Sequence, residues 1–485
     1  LKALELIRNH ARRLELQAIE HASEEVLVPL FHVTGGNPKA IEMALGGVKE
    51  GSFTLEEAVE HLYEANREVG NIFDYLFAKA WEIMGNDARQ VLLVLPFFGS
   101  SASKQALEVV SGLKSYQVDL ALKRLVELSL LDTNTKLLTS AHRYSIHPLT
   151  RSFASAKLGE SAREFEKQAR AQWVDYYKDF ASRILVREKP KERYWNTLVS
   201  HGLTRIDPEW LNFRKLLAWA DQQGQDQTLV ELMLLLIHYM DRRLLYTERL
   251  LYAQKAAEAA GKLGWKEVEA LFCIDALGWT FMEQGNFAAA KQEIMKAQKI
   301  IETIETESTE VIDLRTLAIT YLARVFLEQG EIPVAAACID KAMCSHCSPV
   351  IRSRVDVIAG DIANNQGKYS EAIKHYNNAL AASKEYSEEE EEFEAYYRLG
   401  LVYLEVRDLE SAETQFRKIT EIEKEGVTIE LIFAKYGLAS IAKMKGKKDE
   451  SRVLAEEIFQ ELSRLAPSHK LLSVIQELLR SFEID

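Results

Sequence analysis

The sequence predicts a mainly α fold that ends in a solenoid of paired helices, and three observations carry that reading. The 485 residues hold only nine prolines. Apolar residues recur three and four apart almost throughout. Beyond about residue 205, one pattern of small and bulky residues returns in phase. The expected order is a small helical domain over 1–65, a winged-helix domain with a short β-hairpin over 66–160, connector helices over 161–204, and the solenoid over 205–485.

The first segment reads as four short helices. Leu4, Ile7, Ala11 and Leu14 stripe the first. Ser23, followed by Glu24 and Glu25, supplies an N-cap and an acidic first turn for the second. Gly35-Gly36 ends it, and Asn37 then caps a third helix with Pro38 at its first position, where a missing N–H costs nothing. Thr54 and Glu57 form a capping box for the fourth.

From 85 to 158 the pattern predicts a buried helix over Val91–Phe98, a second over Ser101–Val110 and a third over Tyr116–Leu128. Short strands follow at Leu130–Asp132 and Arg143–Ile146, around a polar tip at 133–140. Three helices before a hairpin is the winged-helix order. Residues 186–195 read as a charged connector interrupted by Pro190.

The repeats decide the rest. Leu277-Gly278, Phe281, Gly285, Phe287, Ala290, Ile294 and Ala297 set the roles. Copies recur around turn positions 330, 367, 407 and 446, with a divergent leading copy near Leu236–Ala256. Small residues on both helices let the backbones approach, while aromatic or Ile side chains fill the groove to the next pair. The pattern resembles the tetratricopeptide repeat, whose basic period is about 34 residues. Here the turns stand 45, 37, 40 and 39 apart, which lengthens helices or linkers.

Bulk properties exclude several classes. Sixty basic against 73 acidic residues give a net charge of −13, opposing a general nucleic-acid or anionic-membrane role. No apolar run approaches the roughly 20 residues that a bilayer requires. Four cysteines fit a reducing compartment, so the expected location is cytoplasmic. The chain opens at Leu1 inside an amphipathic pattern, which predicts a part upstream.

Two motifs about a hundred residues apart point to a family. Thr34-Gly35-Gly36-Asn37-Pro38 and Tyr144-Ser145-Ile146-His147-Pro148-Leu149, with the order of elements between them, resemble the post-P-loop part of the STAND (NB-ARC-like) signalling ATPases. Those include bacterial regulators, plant resistance receptors and the animal apoptosome. Glu209–Trp219 is similar to the family's usual entry into a superhelical sensor. The resemblance implies that Gly36, Asn37 and Pro38 form a lid motif whose proline packs on adenine. It implies that His147 reaches the ADP β-phosphate and latches the closed state. Pro148 stands where plant members carry Asp. No G-x-x-x-x-G-K-[ST] loop occurs in the chain. ADP or ATP is therefore expected only in an intact parent, with no tight binding and no hydrolysis here. The implied partners are the missing P-loop domain, an activating protein or small molecule on the repeats, and further copies on activation.

Each sharp reading has a plainer one beside it. Pro38 alone suits any helix start, and His147 alone suits the end of a strand. The winged helix, with nine basic and five acidic residues over 85–158, offers a DNA-binding regulator as the alternative, although Asp119 and Glu127 oppose phosphate beside Lys123 and Arg124. Cys344, His346 and Cys347 lack a second ligand pair at zinc spacing. Ser387 with the acids after it reads as a capped helix start. Trp279, Phe281, Phe326, Tyr376, Tyr397 and Tyr403 read as solenoid core, with some on the concave face. No catalytic constellation or metal set emerges, so the sequence reads as a regulatory and sensing module rather than an enzyme.

Overall fold

A computed structural model of the chain describes residues 2–49, 51, 54–68, 71–134, 142–161, 163–185, 203–386, 389–422 and 428–482. Its residues fall into two compact units. One comprises Leu1–Tyr177 with Trp210–Leu216, the other Lys178–Glu209 with Leu217–Asp485.

The first unit begins with α1 (Lys2–Arg13), α2 (Gln17–Glu20), α3 (Glu24–Val33), α4 (Pro38–Lys49), α5 (Leu55–Glu68) and α6 (Ile72–Ile83). The predicted four helices are there, and α2 is added; a single turn is too short to carry a periodic stripe. Asn37 Oδ1 accepts from the amides of Lys39 at 2.9 Å and Ala40 at 3.3 Å, capping α4 as expected. Thr54 and Glu57 close their capping box at 3.2 and 2.7 Å. Ser23 precedes α3 in extended conformation, but its hydroxyl makes no cap bond.

Next come α7 (Asn86–Val94), a 3₁₀ turn at Leu95–Phe97, β1 (Ala102–Ser103), α8 (Lys104–Ser111), α9 (Ser115–Glu127), β2 (Asp132–Asn134) and β3 (Arg143–Ser145). The sheet is antiparallel in the order β1-β3-β2, with Asp132 opposite Ser145 and Ala102 opposite Tyr144. The expected hairpin thus gains a third strand. Ala102–Ser103 read as a helix start because Ser103 is also the N-cap of α8, accepting from Ala106 N at 3.1 Å. Most of the polar tip and all of 186–195 lie outside the described residues, as do Ser387 and Glu388.

After the sheet come α10 (Pro148–Ser161), which packs on α7 and the 3₁₀ turn, and α11 (Arg163–Leu185). Phe97 packs on Trp173 and Phe98 on Tyr177, whose ring also meets Phe213. After α12 (Leu203–Ile206), Phe213 belongs to α13 (Trp210–Gln222). Asn212 of α13 explains why residues 210–216 join this unit. Its carbonyl oxygen accepts Gly99 N at 2.7 Å and its amide donates to Ser101 O at 2.9 Å.

The second unit is the solenoid. Its pairs are α14 (Asp226–Arg242) with α15 (Tyr246–Leu263), then α16 (Lys266–Leu271), which runs through a π-helical stretch at Phe272–Gly278 into α17 (Trp279–Glu283), with α18 (Phe287–Glu302). There follow α19 (Thr309–Glu328) with α20 (Ile332–Met343), α21 (Pro349–Asn365) with α22 (Tyr369–Tyr386), α23 (Glu389–Glu405) with α24 (Leu409–Ile422), and α25 (Ile429–Met444) with α26 (Lys448–Leu465). A last helix, α27 (Leu471–Arg480), ends the described chain. All five predicted turn positions are left-handed: Gly285, Gly330, Gly367, Arg407 and Gly446 have φ between 64° and 80°. Close approach also follows the pattern, since a Cβ on Gly360 would lie 2.5 Å from the Tyr376 ring.

The solenoid closes on itself. Leu244 and Tyr246 of the first pair share a core cluster with Ile429, Ile432, Leu462 and Ile475 of the last elements. Arg242 Nε lies 3.3 Å from Glu430 Oε1, and Lys470 N donates to Glu283 O at 2.8 Å. These contacts turn an open superhelix into a ring.

Candidate functional site

The lid and latch motifs both lie in the first unit. Gly36 has φ 71°, and a Cβ there would fall 2.4 Å from Phe31, so its backbone alone demands glycine. Asn37 and Pro38 are exposed at the start of α4, while His147 is half-buried just past β3. His147 Nδ1 accepts the Leu149 amide at 3.2 Å. The two motifs are linked through the sheet: Lys39 Nζ lies 4.0 Å from Asp132, whose register partner Ser145 is two residues before His147. Lys39 is buried and also contacts Glu42 at 3.2 Å. Burial pushes the Lys39 ammonium below its ordinary range; Asp132 opposes this and Arg13 adds to it. On the C-terminal side of α4, a Cβ on Gly46 would meet Glu127 O at 2.9 Å, so α4 sits directly on the end of α9.

The feature with the most chemistry lies elsewhere, inside the ring. A cavity of about 440 Å³ is lined by α14, α15, the α16–α17 helix, α18, α19, α21, α23, α24, α25 and the start of α27. Trp279, Tyr321, Tyr397 and Phe433 supply aromatic surface. Around them stand five cations (Arg249, Arg324, Arg354, Arg398, Lys470) and six carboxylates (Asp241, Asp275, Glu283, Glu328, Glu394, Glu430). The lining is thus nearly balanced in charge, and the groups are knitted into two networks.

One network centres on Asp275, which the π-helical stretch carries. Its Oδ1 accepts from Tyr321 Oη at 3.2 Å and faces Arg354 Nη1 at 3.4 Å. Arg249, essentially inaccessible, lies 3.3 Å from Asp241 and 3.9 Å from the other Asp275 oxygen. π-helical turns displace side chains from the regular α register, and here the displaced residue is an acid facing two arginines.

The second network crosses the ring. Glu283 at the end of α17 faces His469 at 3.3 Å, Arg324 at 3.5 Å and Lys470 at 3.5 Å. Arg324 passes the link to Glu394 at 3.1 Å, Glu394 to Arg398 at 3.3 Å, and Arg398 to Asp361 at 3.1 Å. Burial alone would raise the Glu283 carboxyl, but Lys470, His469 and Arg324 outweigh it and hold it well below the usual range. Burial raises Asp361 instead, with Arg398 and Arg324 opposing. The Arg324 guanidinium also lies 4.5 Å over the Trp279 ring. Its Nε is buried and makes no hydrogen bond.

Of the aromatics read as core, Trp279 and Tyr397 line this cavity, Phe326 packs in the interior, and Tyr376 is buried with its hydroxyl on Asp361 at 2.7 Å. The charged lining itself was missed. The available signal was charge recurring along the first helices: Glu283 and Glu328 stand at one phase before their turns, Arg324 and Asp361 at another, and Arg354 and Glu394 at a third. Cys344, His346 and Cys347 lie at the turn between α20 and α21. No described helix is long and apolar enough to cross a membrane.

Comparison with known proteins agrees with the repeat reading. Residues 275–303 and 353–425 match the tetratricopeptide repeat. The fold is accordingly a mainly helical one with a tetratricopeptide solenoid. Among curated proteins, the transcription activator GutR of Bacillus subtilis (strain 168) is 28% identical over 470 residues, covering 97% of this chain and 56% of that protein. The chain therefore spans little more than half the length of this relative. Among solved structures, a Signal Transduction ATPase with Numerous Domains (STAND) protein with a tetratricopeptide repeat sensor from Pyrococcus horikoshii is 16% identical with a TM-score of 0.42, over 91% of this chain and 69% of that one. Yeast Tom70 is 13% identical with a TM-score of 0.34, over 95% and 96%.

Proposed function

We propose that this chain is the sensing and regulatory part of a signal-controlled switch, with an effector held in the cavity of the solenoid ring. The observation that carries the reading is that cavity: a partly open space walled by aromatic rings and by charges that are largely paired with one another. A guest of net charge would bring a charge that finds its possible partners already engaged with one another, which is costly where water is largely excluded. The lining suits a small, net-neutral molecule whose groups both donate and accept hydrogen bonds and whose carbon skeleton covers an aromatic face. The effector acts on the switch only if it binds one state of the ring better than another.

The reading extends to a nucleotide in the intact protein. Gly36, Asn37 and Pro38 would supply one wall of an ADP or ATP pocket and His147 the latch, with the P-loop on another segment. His147 supports this chemically. With Nδ1 accepting the Leu149 amide, the neutral ring keeps its proton on Nε2, a donor suited to a phosphate oxygen. In this proposal the chain itself catalyses nothing, the protein works in the cytoplasm, and activation brings copies together. In the full-length protein, His147→Ala raises basal output; unchanged output removes the latch.

The effector site is tested on the chain directly. A panel of polar metabolites is screened by thermal shift, and hits are repeated on Trp279→Ala and Arg354→Ala. Net-neutral hits that vanish in both variants support the site. Hits that persist in both, or that are confined to ions, overturn it.

The relative's name, transcription activator, favours a second reading in which the winged helix contacts DNA. On α9, Lys123 lies 3.7 Å from Glu127 and Arg124 donates to Ile83 O at 3.0 Å. Tyr116 and Leu120 are exposed beside them. That face is more apolar than a phosphate-tracking surface. Salt-dependent DNA retention lost in Lys123→Ala would establish the second reading.

A further inference from the structure

Among the described residues, polar contacts cross from the first part of the solenoid to its end at Arg242 with Glu430, 3.3 Å apart, and in greater number at the segment that leads into α27. The segment Ala466–Lys470 leads from α26 to α27 in a turn. The Lys470 amide donates to Glu283 O at 2.8 Å. Its ammonium lies 3.0 Å from Glu328 and 3.5 Å from Glu283. His469 is buried with Nδ1 accepting the Leu471 amide at 3.0 Å, which turns Nε2 to Glu283 at 3.3 Å. Its ring stacks on Tyr246 at 5.9 Å and tilts against Phe433 at 6.0 Å. Elsewhere α27 is anchored differently: Leu471, Ile475 and Leu478 bury in the cluster that α25 and α26 also fill.

The joint therefore combines an apolar seam at Leu244 and Tyr246 with an ionic seam at Glu283 and Glu328. The same residues, His469 and Lys470, also line the cavity together with Glu283 and Arg324 from across the joint. A molecule in the cavity touches both sides at once. Such contacts exist only while the ring is shut, so occupancy and closure are thermodynamically linked.

We infer that His469 and Lys470 form a releasable clasp on Glu283, and that opening of the solenoid ring at this joint admits the effector while a bound effector holds it shut. The effector enters this inference only through the preceding proposal; the clasp is tested with no ligand present, so the two can fail separately. The measurement is hydrogen exchange of the amide of residue 470 in the whole chain, with α21 and α22 amides as internal reference. Glu283→Gln and Lys470→Ala both keep that amide and its carbonyl acceptor but weaken the ionic seam. The expected result is at least tenfold faster exchange at residue 470 in each variant, with the reference amides unchanged. Lys470 is partly exposed, so Lys470→Ala decides the matter should Glu283→Gln fail to fold. Unchanged exchange at residue 470, or an equal rise in α21 and α22, overturns the clasp, since the ring then opens only by general unfolding.

Discussion

Arg249 donates to the backbone carbonyls of Asp275 and Ala276, 3.2 Å to each, inside the π-helical stretch that aims Asp275 at the cavity. Its Nε donates to Ile237 O at 3.1 Å, and Thr280 Oγ1 is a further partner. One buried guanidinium thus satisfies carbonyls of α14 and of the π-helical stretch, and ties the two together. Arg249→Ala is expected to lower stability by about 3–5 kcal/mol, because it leaves buried carboxylates and carbonyls without their donor. Arg249→Lys restores little of it, since a single ammonium cannot face acceptors spread around a planar fork. Denaturant midpoints of the three proteins check both statements.

Phe416 stands between two glycines of successive first helices. A Cβ on Gly400 would lie 2.6 Å from its ring, and one on Gly437 2.4 Å. The ring is fully buried, so neither side can yield cheaply. Gly437→Ala is expected to cost about 1–3 kcal/mol. Phe416→Leu placed on top of it should recover part of that cost, giving a non-additive double-mutant cycle.

Much of the solenoid was legible because its rules are local. A left-handed turn after each first helix and small residues at the crossing leave marks at fixed phase, which is how 285, 330, 367, 407 and 446 could be read as equivalent. The caps at Asn37 and Thr54 were legible for the same reason. The cavity was not. Glu283, Arg324, Glu394 and His469 meet only after the ring closes, and each alone looks like one more charge on a solvated helix. The π-helical stretch was equally hidden, since Phe-Cys-Ile-Asp-Ala-Leu-Gly reads as ordinary buried helix over 272–278. Closure itself rests on Leu244, Tyr246 and Lys470, far apart in sequence and in no repeated phase.

Arg407 is the one non-glycine among the five turn positions, with φ 64° and an exposed side chain. A Cβ in that region crowds the following carbonyl, at a cost of roughly 1–2 kcal/mol that glycine avoids. Asp408 N donates to Tyr403 O at 2.9 Å there, so the turn is fully formed despite the strain. Arg407→Gly should raise stability by about 1 kcal/mol, read as a higher denaturant midpoint at unchanged slope.

The clasp carboxylates give the ring a defined acid response. Burial acts to raise Glu283 and Glu328, yet Lys470 together with Arg324 holds both below their ordinary value of 4.5. A carboxylate with a depressed folded pKa contributes stability that is complete above its unfolded pKa and is lost as pH falls toward the folded one. Asp361, raised by burial, titrates in the opposite sense and offsets part of that loss. Lys470→Ala removes the cation shared by Glu283 and Glu328 without touching Asp361. The stability gap between wild type and Lys470→Ala should therefore be widest above the ordinary carboxylate range and narrow as pH falls through it toward the depressed folded values, where protonation removes the pairing. Thermal midpoints of the two proteins from pH 7 to pH 3 supply the comparison. A gap that stays constant across that range would mean that Lys470 stabilises the ring through packing rather than through these two acids.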